Sequence, residues 1–285
     1  MRKPDWLRTR LPSGPEFDRV NRELQARGIN TVCSSARCPN LAECWGKGTT
    51  TFMILGDTCT RHCRFCSVAT GNPHGARDAS EPKRVAEAVA ELGIMYVVLT
   101  SVDRDDLPDF GAGAFADTVR QVKGLNPKSP SVLVEVLTPD FGGREELIRL
   151  VVEAGPSVFG HNLETVERLT PAVRDRRASY RRSLEVLATV KRLSQAMTTK
   201  SGLMVGLGET DGELRQALAD LRSVGCDIVT VGQYLQPARH CLPVQRYLTP
   251  DRFVSLEQEA RALGFKNALC GPLVRSSYHA QEVAQ

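Results

Sequence analysis

The sequence has no run of about 18 apolar residues, the least a helix needs to cross a bilayer, so no membrane span is expected. It also lacks the apolar core of a secretory signal, because the opening MRKPDWLRTRLPSGPEF is basic and polar. Charge of one sign is missing too. The 37 basic and 33 acidic residues leave a net charge of +4, and the basic ones are spread along the chain, which argues against a nucleic-acid partner. There is no low-complexity segment and no internal repeat beyond the alternation described below. A hydrophobic content of 41% and a charged content of 25% are ordinary for a globular protein, and 285 residues make two domains or one α/β barrel.

Cysteine is present in unusual measure. There are nine, six of them between Cys33 and Cys66. An odd total in a chain of this size does not suit a secreted disulfide scaffold. In a reducing compartment, clustered cysteines bind metal or do redox chemistry, so the expectation is a cytoplasmic metalloprotein.

Residues 1–50 show little hydrophobic periodicity. Pro12, Pro15, Pro39 and Gly46 should break any long element there, and the segment reads as an N-terminal extension. From residue 51 short apolar runs alternate with amphipathic stretches. The strand candidates are 51–56, 96–102, 131–137, 157–163, 199–206 and 227–235. Val85, Val89 and Leu92 mark a first helix ending near Gly93, and 113–124, 144–154, 178–196, 211–223 and 251–263 follow. Six β/α units fall short of a closed eight-stranded barrel. The expected fold is therefore α/β, a partial (β/α)6 barrel over 51–265 flanked by the extension 1–50 and a C-terminal segment 266–285. A doubly wound open sheet is the competing layout. Parallel β/α folds place their sites at the C-terminal strand ends. Here those ends carry Cys59, Thr100-Ser101, Thr138-Pro139, His161-Asn162-Leu163-Glu164, Gly206-Leu207-Gly208-Glu209 and Gln233-Tyr234-Leu235-Gln236-Pro237.

Cys59, Cys63 and Cys66 follow the first strand with the spacing C-x3-C-x2-C. Three thiolates so close can hold three irons of a cubane cluster and leave the fourth without a protein ligand. Structural zinc would want four ligands and usually paired C-x2-C motifs. Only Cys63 and Cys66 form such a pair, so a zinc knuckle completed by His62 or a distant cysteine is the alternative. A second triplet, Cys33, Cys38 and Cys44, lies in CSSARCPNLAEC, which is polar and without strand or helix period. That suits a loop around a cluster; buried thiols or a zinc staple are the alternative.

With Phe65 before its last cysteine, the first of these motifs resembles the signature of the radical S-adenosylmethionine superfamily. The resemblance implies a partial barrel with the cluster loop after the first strand. It also implies a 4Fe-4S cluster whose open iron is chelated by the amino and carboxylate groups of S-adenosylmethionine. Cleavage then gives methionine and a 5′-deoxyadenosyl radical. Beyond this motif, KPDWLR, GTTTFMILGDTCTRHCRFC, TSVDRDDLPD, HNLETVERLTPAVRDRRASYRRSL, TKSGLMVGLGET, VGQYLQPARHCLPV and GPLVRSSYHA are similar to the lipoyl synthase family along nearly the whole chain. Two departures are visible: Phe110 stands where the family more often has glycine, and Cys241 where it more often has histidine.

The second resemblance implies insertion of two sulfur atoms, at C6 and C8 of an octanoyl group on a lysine of a lipoyl carrier domain. Such carriers are 2-oxoacid dehydrogenase E2 subunits or the glycine cleavage H protein. It implies a second 4Fe-4S cluster as sulfur donor, held by Cys33, Cys38, Cys44 and a serine of the RSSY motif, Ser276 or Ser277, with the C-terminal segment closing over it. An electron donor such as ferredoxin or flavodoxin and iron–sulfur assembly proteins are the other implied partners. Thr100 and Ser101 fall where the cosubstrate's amino group would sit. Asn162 and Glu164 alternate at a strand end, so they share a face and suit ribose hydroxyls. Arg174 or Lys200 would pair with the methionine carboxylate. Each of these six is equally a solvated or salt-bridged rim residue on sequence grounds. Cys226, Cys241 and Cys270 are expected to be buried structural thiols. The rival enzyme is another sulfur-inserting radical protein, biotin-synthase-like; a non-enzymatic zinc scaffold is the rival from another class.

Overall fold

The computed structural model describes residues 2–9, 11, 13–125 and 132–284; Pro12 and Ser131, invoked above, lie outside them. These residues fall into two units, one of Thr9–Arg61 and Val68–Ser157, the other of Met1–Arg8, His62–Ser67 and Val158–Gln285.

The first unit runs α1 (Pro15–Ala26), β1 (Asn30–Thr31), α2 (Val32–Ser35), α3 (Leu41–Gly46), β2 (Thr51–Ile54), β3 (Thr58–Cys59), β4 (Ala69–Thr70), α4 (Glu81–Leu92), β5 (Tyr96–Ser101), α5 (Ala112–Gly124), β6 (Leu133–Leu137) and α6 (Glu145–Glu153). Strands β2, β5 and β6 are parallel neighbours, with Phe52 opposite Leu99 and Leu99 opposite Val136. All three of those side chains are fully buried, as parallel strands covered on both faces require. Strand β1 adds an antiparallel edge, pairing Thr31 with Phe52.

The extension holds more regular structure than its prolines suggest. Pro15 does not break an element; it begins the 12-residue α1. At the first helical position a missing N–H costs nothing and the ring presets φ. Val20 and Leu24, one turn apart, form the buried face of that helix. The CSSARCPNLAEC stretch is likewise not a bare loop: α2 and α3 take up most of it. Phe110 has φ of 50°, a left-handed conformation that glycine adopts without strain, which explains why glycine suits this position better.

The second unit runs β7 (Val158–Gly160), α7 (Thr170–Val173), α8 (Tyr180–Leu193), β8 (Thr198–Val205), α9 (Asp211–Ser223), β9 (Ile228–Gln233), α10 (Pro250–Ala262), β10 (Asn267–Gly271) and α11 (Ala280–Ala284). Its strands pair in parallel in the order β7-β8-β9-β10. Leu203, Val205, Val229 and Val231 from the sheet meet Leu187, Leu218, Leu221 and Phe253 from the helices in one core. Strand β10 lies beyond the six counted from periodicity. NALCG is too short to signal itself, and it becomes a strand by pairing with β9 along its whole length. The expected α/β class with mostly parallel strands holds. No helix among the described residues is long and apolar enough to cross a membrane.

Helix α9 opens on a capping box: Glu213 N donates to Thr210 Oγ1 at 3.3 Å, and Thr210 N donates to the Glu213 carboxylate at 2.8 Å. Thr210→Ala should lower stability by about 1 kcal/mol. An unchanged denaturation midpoint would mean that packing alone holds this helix end.

Candidate active site

In the first unit, β2 runs through a turn into β3 and Cys59. Leu55 there has φ of 69°. The Glu81 carboxylate fixes the turn by accepting Leu55 N at 2.6 Å and Gly56 N at 3.3 Å. Two backbone amides then point at the Cys59 sulfur, Arg61 N at 3.4 Å and Asp103 N at 3.3 Å. The Asp103 carbonyl in turn accepts Thr60 N at 2.9 Å.

The Arg61 side chain, 5% exposed, locks this corner from behind. Its guanidinium meets Asp140 through Nη1 at 3.0 Å and Nη2 at 2.7 Å, and Asp105 through Nη2 at 2.9 Å. Burial alone disfavours the charge, but the Asp140 and Asp105 hydrogen bonds and the nearby Asp103 carboxylate hold the Arg61 pKa above its ordinary value.

Cys63 and Cys66 belong to the second unit, where residues 62–67 are stitched on two sides. On one side Arg64 N donates to Val173 O at 2.9 Å, and Asp175 N donates to the Cys63 sulfur at 3.3 Å. On the other, Leu242 N donates to Arg64 O at 2.9 Å and the Cys241 thiol to Cys66 O at 3.4 Å. Phe65 packs with Val173, Leu207 and Tyr234. The expectation that Cys241 is a buried thiol is met, and its place against the cysteine loop is new. Cys226 sits fully buried in the second core, whereas Cys270, also expected to be buried, is only half-buried against that core; burial pushes both thiols up to about 12.

The N-terminal triplet shares one neighbourhood. Cys38 N donates to Cys33 O at 2.9 Å, closing the turn between α2 and α3. Cys33 is buried, 4.0 Å from Thr50 Oγ1, which also accepts Trp45 Nε1 at 3.1 Å. Burial raises the Cys44 thiol to about 12, and Cys33 and Cys38 add to the effect by their proximity.

Among the cosubstrate candidates, Thr100 Oγ1 donates to Leu137 O at 3.0 Å. Ser101 Oγ is buried and has no hydrogen-bond partner among the described residues. Asn162 and Glu164 touch, Nδ2 to Oε1 at 3.1 Å, and Glu164 has φ of 68°. Asn162 Nδ2 also reaches Ser276 Oγ at 2.7 Å. A Cβ on Gly202 would fall 2.7 Å from that hydroxyl and 2.8 Å from Asn162 Oδ1, so only glycine leaves room for the pair. Arg174 is buried and donates to Ser183 Oγ at 2.8 Å; Lys200 is buried too, and Ser277 is half-buried.

None of the nine cysteines is in a disulfide, yet no group of three His, Cys, Asp or Glu residues among the described ones is gathered as a metal site would need. The donor set nonetheless suits an iron–sulfur cluster. Amide hydrogens on cysteine sulfur stabilise the charge of a ligating thiolate, and Cys59 and Cys63 both receive them. The orphaned Ser101 hydroxyl suits a polar ligand. Sequence reasoning missed Arg61, Asp103, Asp105, Asp140 and Asp175. The dense acids of TSVDRDDLPD were the available signal for two of them.

Comparison with known proteins agrees with this chemistry. The model of the Radical SAM superfamily matches residues 53–221. A lipoyl synthase of Pyrobaculum calidifontis is 56% identical over 99% of this chain and 96% of its own length. That of Halorhodospira halophila is 54% identical over 100% of this chain and 84% of its own. The chain belongs to the lipoyl synthase family. It is thus a radical S-adenosylmethionine enzyme that inserts sulfur, and membership of the family implies a 4Fe-4S cluster, S-adenosylmethionine and an octanoylated carrier protein as substrate. Among solved structures, the FeFe-hydrogenase maturase HydG of Carboxydothermus hydrogenoformans aligns with a TM-score of 0.59 at 15% identity, over 81% of this chain and 55% of that one. This likeness concerns the fold, and the chain spans about half the length of that protein.

Proposed function

We propose that the chain holds two 4Fe-4S clusters with divided roles. Cys59, Cys63 and Cys66 hold the one that binds S-adenosylmethionine. Cys33, Cys38 and Cys44, with Ser276 or Ser277, hold the one that donates sulfur. The supporting observation is chemical: two sets of three cysteines outside any disulfide, one with amide hydrogens on the sulfurs of Cys59 and Cys63, the other with Cys33 and Cys38 within electrostatic reach of Cys44. Held by the first set, a cluster supplies the electron that splits the sulfonium into methionine and a 5′-deoxyadenosyl radical able to take hydrogen from an unactivated carbon.

The chain's own residues bind and orient. Ser101 Oγ accepts from the cosubstrate's amino group, with Thr100 beside it. The adjoining Asn162 amide and Glu164 carboxylate take the ribose hydroxyls. Arg174 or Lys200 takes the methionine carboxylate. A serine oxygen is a harder ligand than thiolate and is more easily given up by a cluster iron, which suits a cluster that must release sulfide. The Asn162 hydrogen bond favours Ser276 for that role. On this reading residues 1–50 form the auxiliary-cluster extension, 51–265 the radical barrel and 266–285 the segment that closes over the auxiliary cluster.

The substrate is octanoyl-lysine on E2 lipoyl domains or the glycine cleavage H protein, sulfurated at C6 and C8. Ferredoxin or flavodoxin supplies electrons, iron–sulfur assembly proteins rebuild the clusters, and the enzyme works in the cytoplasm. The test is mass spectrometry of an octanoyl-lysine peptide after anaerobic incubation with S-adenosylmethionine and a reductant. The product should gain two sulfurs as the dihydrolipoyl dithiol, losing two hydrogens only once it is oxidised to the lipoyl disulfide, and the reconstituted protein should hold about eight irons. Colourless protein with stoichiometric zinc would defeat the reading.

A further inference from the structure

We propose that Asp175 is a positioning residue for Cys63, fixing the direction of that thiolate through a backbone amide on its sulfur and a carboxylate on the residue before it. Asp175 N lies 3.3 Å from the Cys63 sulfur, and Asp175 Oδ2 accepts His62 N at 2.8 Å. The two hydrogen bonds run in opposite directions between the same two segments, so they fix the approach of the cysteine as well as its distance. The carboxylate is itself held: Oδ1 accepts Arg177 N and Arg177 Nε, each at 2.9 Å. Asp175 is 8% exposed, so water cannot readily replace these partners.

The ordinary account of such an aspartate is a turn cap. It explains Oδ1 and the Ala178 N bond to Asp175 O at 2.9 Å. It leaves unexplained why Oδ2 binds an amide 113 residues away, and why the Asp175 amide points at sulfur. The same device recurs independently at Cys59. There the amide of Asp103 also lies 3.3 Å from sulfur, and its carbonyl accepts the N–H of Thr60, the neighbour of that cysteine. Two ligand cysteines are thus each gripped through an aspartate backbone amide and through an adjacent residue.

The inference rests on the reading of Cys59, Cys63 and Cys66 as cluster ligands. Its test compares wild type, Asp175→Asn and Asp175→Ala after anaerobic reconstitution. The readouts are the change that S-adenosylmethionine produces in the EPR spectrum of the reduced protein, and the rate of 5′-deoxyadenosine formation. Asn keeps a neutral acceptor for His62 N and should stay within about twofold of wild type. Ala removes the acceptor, should alter the EPR change and should slow cleavage at least about tenfold, since small misplacements of reacting groups are costly. Wild-type behaviour of Asp175→Ala would overturn the proposal, and equal impairment of both variants would overturn it by assigning the effect to lost charge. Should Asp175→Ala fail to fold, Asp175→Glu keeps the charge and displaces the acceptor by one methylene; an altered spectrum supports positioning, and a wild-type one overturns it. A wild-type protein with no EPR response to S-adenosylmethionine would instead remove the cluster reading itself, and this inference with it.

Discussion

Cys63→Ala is expected to lower 5′-deoxyadenosine formation at least about a hundredfold, while Cys38→Ala leaves it within a few-fold of wild type and stops sulfur insertion. The contrast follows from the different demands on the two triplets. On the proposed assignment Cys63 is one of three cluster ligands, and its sulfur is already oriented by the Asp175 amide. Without it a cubane keeps two protein ligands and its geometry for chelating S-adenosylmethionine is lost. Cys38 belongs to the α2–α3 turn, beside a Cys44 thiol whose ionisation is opposed first by burial and then by the proximity of Cys33 and Cys38. Iron content should fall from about eight to about four in either variant, so activity and not metal separates them. Quantifying 5′-deoxyadenosine and lipoylated peptide in one reaction checks both halves. Sulfurated product from Cys38→Ala would mean that the second triplet is not the sulfur donor; undiminished cleavage by Cys63→Ala would mean that the triplets were assigned the wrong way round.

Periodicity carried the fold a long way. The helix expected over 211–223 is α9, Asp211–Ser223, because an apolar stripe at helical spacing coincides there with a capping box. The strands over 96–102 and 227–235 shorten to Tyr96–Ser101 and Ile228–Gln233 but lie in the same places. What escaped was structure decided by distant partners. Strand β10 exists through β9, and α1 exists because a proline that looks like a breaker happens to occupy the one helical position that tolerates it. The cysteines were legible because their spacing is the chemistry. Arg61 was not, since nothing local says that it will meet Asp140, 79 residues on. Ser276 and Ser277 are equivalent in sequence, and only the fold joins one of them to Asn162, 114 residues away. The positive φ of Glu164 is equally silent, because strain that the surroundings impose leaves no trace in residue type.

The largest stability effect should come from that hidden pair. Asp140 is fully buried and Arg61 nearly so, and the carboxylate meets the guanidinium with both oxygens at 2.7 Å and 3.0 Å. Asp140 Oδ1 also accepts Gly142 N at 3.0 Å, so the side chain closes a turn as well as a charge pair. Asp140→Ala strips a buried cation of its best-enclosed partner and leaves that turn amide without an acceptor, a loss of about 3 kcal/mol. Asp140→Asn keeps the turn and one acceptor for Arg61, and should cost about half as much. Asp105 remains bidentate to Arg61 in both variants, which keeps the loss from being larger. Urea midpoints of the metal-free proteins under reducing conditions measure the difference, and a loss below 1 kcal/mol in Asp140→Ala would mean that water reaches the pair. Removing the cation instead, with Arg61→Met, leaves Asp140 and Asp105 without their shared counter-charge and should destabilise as well. The double variant Arg61→Met with Asp140→Leu should therefore lose less than the two single losses added, because each substitution removes the charge that the other leaves exposed to an apolar interior. A fold that recovered in this way while still cleaving S-adenosylmethionine poorly would show that the pair also aims the Arg61 amide at Cys59, since packing can replace a charge pair's contribution to stability but not the direction of a backbone N–H.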